Sequence, residues 1–212
     1  MRFQVATTAA GLLLAGQSLA APVRARDGGS AADIVAQIAP NSKTCSETTE
    51  CRTSDQAGPL LADAMARYGL DAAGQIAAVI ALTAFESVDY KYKHNVSPGR
   101  PGQGTSNMQM FGYNLEYAQS IPELKDQVAG VAADAADDAK KNEVLALVED
   151  DKYNFGSGPW FMATKCADAK DALAPGKDLD AGFQAYMACV GVTVTDDRMQ
   201  YWTRAKQAFG LS

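Results

Sequence analysis

Residues 72–85 carry no charge at all, and that run constrains the fold more than any other part of the chain. Ile76, Val79, Ile80 and Thr83 recur at intervals of three and four, the helical repeat, and the intervening alanines and Leu82 leave no polar face opposite them. A helix that is apolar all round has to be buried, so other helices must be built around it. Several can be read directly. Residues 31–39 form a short apolar helix stopped by Pro40, and 57–68 set Leu60, Leu61, Ala64 and Met65 on one face before Gly69 ends them. Ser120-Ile121-Pro122-Glu123 combines a capping box with an early proline, which predicts a helix from there to about Ala133. Residues 142–149 put Val144, Leu145 and Val148 on one side; residues 178–190 repeat Phe183, Tyr186, Met187 and Val190; Thr195 caps a last amphipathic helix through Ala208. The β-rich run at 190–194 is a connector, and the acidic and basic residues of 134–141 are a solvated helix face or junction. The expected fold class is all-α, a single compact helical domain with a buried central helix and a cleft.

The ends of the chain and its composition set bounds. Residues 1–20 hold Arg2, an apolar centre at Leu12-Leu13-Leu14 and small residues before a cut, the pattern of a secretory signal peptide. Residues 21–30 are a flexible lead or propeptide, and 31–212 the helical domain. No later stretch is long and apolar enough to span a bilayer, so the chain is expected to be secreted, extracellular, without a membrane partner, and a monomer. The formal net charge is −6, and −7 once residues 1–20 with their single charge, Arg2, are removed. An acidic surface argues against nucleic acid and against adsorption to anionic cell walls. Four cysteines in an exported chain predict two disulfides, and the favoured pairing is local: Cys45 with Cys51, Cys166 with Cys189. No Cys-x-x-Cys occurs and His94 is the one histidine, so no metal or other cofactor is expected, and a Ser-His-Asp hydrolase is disfavoured. Asn95-Val96-Ser97 is a glycosylation sequon, with Pro98 counting against its use.

The chemistry-bearing residues come in three groups. Glu86-Ser87 ends the apolar helix, Asn107-Met108-Gln109 follows on a loop with Gly104, and Tyr153-Asn154-Phe155-Gly156 comes later. Glu86 lies four residues after Leu82 and seven after Val79, so its carboxyl group sits at the edge of the apolar face. Apolar walls disfavour the charged form of a carboxyl group, which predicts a proton donor at this position. Asp89 is the other acid close by, too near on one helix to straddle a ligand with Glu86. The amide of Gln109 can donate and accept at once.

In order and spacing these groups resemble the lysozyme-like superfamily, most closely goose-type lysozymes and lytic transglycosylases, and the loop at 98–104 resembles secreted fungal members. There a Glu-Ser pair ends a buried helix, a Gly-x-Met-Gln-type motif follows, and a Tyr-Asn-x-Gly motif comes later; here Thr105, Ser106 and Asn107 depart from the usual step before the Met. The resemblance implies a glycosidase acting on β-1,4-linked N-acetyl-sugar polymers, peptidoglycan first and chitin second. It implies Glu86 as catalytic acid and base, with Ser87, Asn107, Met108, Gln109, Tyr153 and Asn154 binding substrate. The alternative it leaves open is an inactive lysozyme-like protein that binds glycan or acts as an effector.

Overall fold

The computed structural model describes residues 29–212, so the signal-peptide reading of 1–20 and most of the lead lie outside the described residues. Ser30 already belongs to the helical domain. Its hydroxyl accepts from the Asp33 amide at 3.1 Å and the Asp33 carboxylate accepts from the Ser30 amide at 2.9 Å, a capping box that starts α1, Ala31–Ile38. A short 3-10 turn over Pro40–Lys43 follows. Next comes α2, Ser54–Arg67, one turn earlier than expected because Thr53 and Gln56 form a second capping box ahead of Pro59. Gly69, with φ of 64°, ends that helix in the left-handed conformation as expected.

The uncharged run becomes α3, Ala73–Glu86, with Ala77, Ala78, Val79 and Ala84 wholly excluded from solvent. Around it pack α7, Ser157–Lys165; α9, Leu179–Cys189; and α10, Asp196–Phe209, with α1 and α2 closing the far side. Thr195 caps α10 by accepting from the Arg198 amide, and the rings of Phe183 and Trp202 stack at 4.7 Å to join α9 to α10. The remaining helices are α4, Phe111–Ser120; α5, Asp138–Val148; α6, Asp151–Asn154; and α8, Ala167–Ala172. No strand occurs among the described residues, only isolated bridges from Gly104 to His94 and to Gln109. The chain is thus an all-α single domain, and both local disulfides, Cys45–Cys51 and Cys166–Cys189, are formed.

The helix expected from Ser120 to Ala133 is replaced by a series of turns. Ile121 takes an extended ψ of 116°, the conformation that the following proline enforces, and the Ser120 hydroxyl donates backward to the Tyr117 carbonyl instead of capping forward. Bonds such as Gln127 N–H to the Leu124 carbonyl then close single turns without propagating. Four helices carried no sequence signal strong enough to predict them: the short α6 and α8; α4, which holds one side of the cleft; and α7, which the Tyr-Asn-x-Gly motif leads into.

After α3 the backbone turns abruptly. Val88, Asp89 and Tyr90 adopt φ of 53°, 58° and 61°, a left-handed run without glycine that costs about 1 kcal/mol or more per residue. It is held on three sides. The Ser87 hydroxyl accepts from the Tyr90 amide at 2.9 Å, Asp89 accepts from Tyr201 Oη of α10 at 2.5 Å, and Asp89 also accepts from the Asn41 amide of the 3-10 turn at 3.0 Å.

Candidate functional site

A cavity of about 280 Å³ opens where α3 ends. Its walls are Leu82 and Glu86 from α3, the loop from Arg100 to Met110, Tyr113 from α4, Phe161 from α7, and the connector at Val190–Val192. Tyr113 meets Phe161 edge to face at 4.8 Å, and Met110 and Tyr113 leave apolar surface on the rim. One side is therefore apolar and the other polar.

Glu86 borders this cleft as expected, but it is not a solitary acid among apolar neighbours. Its Oε1 accepts from Arg198 Nη2 at 2.8 Å, and the Arg198 guanidinium also lies 4.4 Å from the Phe85 ring centre. Arg198 comes from α10, 112 residues on, and no pattern in the sequence connects the two. The pair is only 21% and 15% exposed, so α3 and α10 are joined here by a largely desolvated ion pair.

Asn107, Met108 and Gln109 also line the cleft. Thr105 and Met108 have φ of 64° and 44°, and Gly104 leaves no room for a side chain, since a Cβ there would lie 2.5 Å from the Lys93 carbonyl. Three amides join in series across this loop. Asn107 Nδ2 donates to Gln109 Oε1 at 3.2 Å, Gln109 Nε2 donates to Asn114 Oδ1 at 2.9 Å, and Asn114 Nδ2 donates to the Gly102 carbonyl at 2.8 Å. Asn107 Oδ1 is buried without a partner.

Ser87, Tyr153 and Asn154 lie away from the cleft. Ser87 is fully buried, its hydroxyl donating to the Thr83 carbonyl at 2.6 Å. The Tyr153 carbonyl accepts from Tyr117 Oη, and burial pushes the Tyr117 phenol far above its ordinary range. Asn154 Oδ1 accepts from the Ser106 amide at 2.9 Å, pinning the loop to α6. The Tyr-Asn-x-Gly segment thus supports the cleft from behind. Asp89 is committed to Tyr201 and Asn41, and Asn95 of the sequon donates to Gln103 and accepts from the Gly99 amide.

A second polar cluster stands beside the cleft. Arg52 Nε and Lys93 Nζ donate to Asp151 at 2.6 and 2.9 Å; burial opposes ionisation of Asp151, but these two bonds outweigh it and hold its carboxyl below the usual range. His94 Nδ1 lies 3.0 Å from Glu50. Among the described residues no group of three or more His, Cys, Asp or Glu could hold a metal ion.

A stretch of 159 residues, 74% of the chain, is 48% identical to part of a Fusarium oxysporum (strain Fo5176) protein named bifunctional dioxygenase (DOX)-epoxy alcohol synthase (EAS). The chain spans only 12% of that protein's length. No family model and no solved structure matches the chain. This relative overturns the lysozyme-like resemblance: its named activities are oxidative, not glycosidic. With the resemblance go the muramidase or transglycosylase activity, the glycan-binding alternative, and peptidoglycan or chitin as the polysaccharide partner. Three short motifs in the right order proved too little against identity sustained over most of the chain, and two of their residues, Ser87 and Asn154, have the structural work described above.

Proposed function

We propose that the chain is an exported binding module whose cleft takes a small molecule with an apolar body and oxygen functions, of the epoxy-alcohol type. The observation that carries this reading is the 48% identity to a segment of a protein named for making such compounds. The cleft suits that chemistry, with Leu82, Met108, Tyr113 and Phe161 offered to a hydrocarbon body and Glu86, Asn107 and Gln109 to its oxygens. Dioxygenase chemistry calls for a redox-active group, and the residues here do not fit one. His94 is the one histidine, all four cysteines are in disulfides, and among the described residues no group of three or more His, Cys, Asp or Glu could hold a metal ion. The role proposed is therefore capture of the oxygenated molecule rather than its oxidation. Export is supported by the two disulfides, and no helix among the described residues is long and apolar enough to cross a membrane.

Titration calorimetry with a linear epoxy alcohol of about eight carbons tests the reading. A ligand of ~10 heavy atoms at about 0.5 kcal/mol each should bind with Kd of about 0.2 mM. Tyr113→Ala, which removes one apolar wall, should weaken binding about tenfold. Absence of saturable binding at ~10 mM, some fiftyfold above that Kd, defeats the proposal.

A further inference from the structure

Resting on that reading of the cleft, we infer that its ligand is an anion, an oxygenated hydrocarbon ending in a carboxylate, and that Arg100 is the residue that binds that end. The charges around the cleft carry the inference. Two charged residues line it, Glu86 and Arg100. Glu86 is matched by Arg198, whose Nη2 lies 2.8 Å from Oε1, so that pair presents no net charge to a ligand. Arg100 has no such match. It is exposed, and among the described residues its guanidinium makes neither an ion pair nor a hydrogen bond. A guanidinium keeps its proton under all ordinary conditions, so one positive charge is left over at the wall of the cleft, in a chain whose formal net charge is −6.

The backbone beneath this charge is fixed. Asn95 Oδ1 accepts from the Gly99 amide at 2.9 Å and the Arg100 amide at 3.4 Å, the Arg100 carbonyl accepts from the Gln103 amide at 3.2 Å, and Asn95 Nδ2 donates to Gln103 Oε1 at 3.0 Å. Binding an anion therefore orders one side chain and not a loop. The start of α4 at Met110, itself a wall of the cleft, adds to the same sign, since no acidic residue occupies its first turn and no side chain caps it. The far side of Arg100 sets the ligand's direction. There Arg100 and Gln103 also wall a hollow of about 680 Å³ that holds Glu50, His94 and Glu149. The acidic side chains of that hollow oppose an anion, so its head meets Arg100 from the cleft side and its body runs over Met108, Tyr113 and Phe161. A carboxylate matches the site in charge and shape, for it brings one charge to the one left over and its two oxygens fit the guanidinium fork. A phosphate monoester would bring a second charge with nothing to meet it.

The test compares a linear epoxy alcohol ending in a carboxylate with its methyl ester, which keeps the hydrocarbon and the oxygens but not the charge. Calorimetry on the full chain at about pH 7 and low salt, where the acid is ionised, should show the acid about fivefold tighter, the upper range for one ion pair open to solvent. In salt of about 1 M, which screens charges beyond about 3 Å, that preference should fall below about twofold. Arg100→Gln should bind acid and ester within about twofold of each other, while Arg100→Lys, which keeps the charge without the fork, should retain a preference of about threefold. Arg100 is exposed, so both variants should fold as the parent does. Equal affinity of the wild-type protein for acid and ester, or a preference for the acid that survives in Arg100→Gln, overturns the inference and leaves the cleft reading intact. Failure of the acid, the ester and the uncharged epoxy alcohol alike to bind overturns the cleft reading itself, and the inference with it.

Discussion

Replacing Gly158 by alanine places a methyl group where α7 meets the central helix, and its consequence can be worked from distances. An ideal Cβ at this buried glycine lies 2.7 Å from Thr83 Cγ2, 3.2 Å from Val79 Cγ1 and 3.7 Å from Asn107 Oδ1. Carbon atoms prefer separations of about 3.5–4.0 Å, so α7 and α3 must part by about 1 Å or Thr83 must turn. Thr83 cannot turn cheaply. It is β-branched within a helix, and its hydroxyl donates to the Val79 carbonyl at 2.9 Å and lies 3.1 Å from Tyr90 Oη. Overpacking of this kind costs about 1–3 kcal/mol, while alanine in place of glycine in a helix returns about 0.5–1 kcal/mol. The net loss expected is about 1–2 kcal/mol, a fall in Tm of roughly 3–6 °C for a domain of this size. Urea denaturation of the variant gives the first number. Thr83→Ser supplies the control, because it deletes Cγ2 and keeps the hydroxyl. The double variant should be less destabilised than the sum of the two singles by about 1 kcal/mol. Additive losses, or a Gly158→Ala protein as stable as the parent, would falsify the packing argument.

Asp151→Asn leaves Lys93 and Arg52, only 10% and 16% exposed, without their shared carboxylate; since Asp151 is itself 36% exposed, the cost should be about 2 kcal/mol by urea denaturation rather than the larger penalty of a fully buried pair. The folded-state shift of Asp151 is downward, so its stabilisation is present above the unfolded carboxyl value of about 4 and is lost as pH falls below it. The gap between parent and variant should narrow under acid, and a gap unchanged at pH of about 2 counts against the assignment. Glu149 shifts the other way: burial raises its carboxyl, with His94 opposing, Glu50 reinforcing and Lys93 opposing. A raised folded-state value means stability falls as pH climbs through it, so Glu149→Gln should melt higher than the parent near pH 8 and level with it near pH 4, about the unfolded value. A variant that melts lower at both values would show that the carboxylate stabilises the fold.

The helical architecture could be read because its strongest signals survive packing. The uncharged run of α3 has no surface to present, and the caps at Thr195 and Gly69 act through neighbouring backbone alone. Residues 120–133 mislead because a capping-box pattern was read without the restriction that Pro122 places on Ile121, which keeps that residue extended. The cleft was half legible. Glu86, Asn107, Met108 and Gln109 do converge, since a helix end and the loop after it are near each other in sequence as well as in space. Arg198, Phe161 and Val192 arrive from far along the chain, through the docking of α7 and α10 on α3, and no local pattern announces that. Motif resemblance failed where it treated Ser87 and Asn154 as ligand contacts, for small polar residues beside a cleft satisfy backbone as readily as they meet a ligand.

The left-handed turn at Val88, Asp89 and Tyr90 has a consequence for how the molecule opens. Its backbone is unfavourable by itself and persists through bonds to Tyr201 in the last helix and Asn41 near the first. Loosening either terminal segment removes a restraint from the turn, and the turn on release carries the end of α3 with it. The two extremities of the domain and the floor of the cleft therefore form one cooperative unit. Their amides should exchange with solvent in a single subglobal event, while α5, outside that circuit, frays on its own.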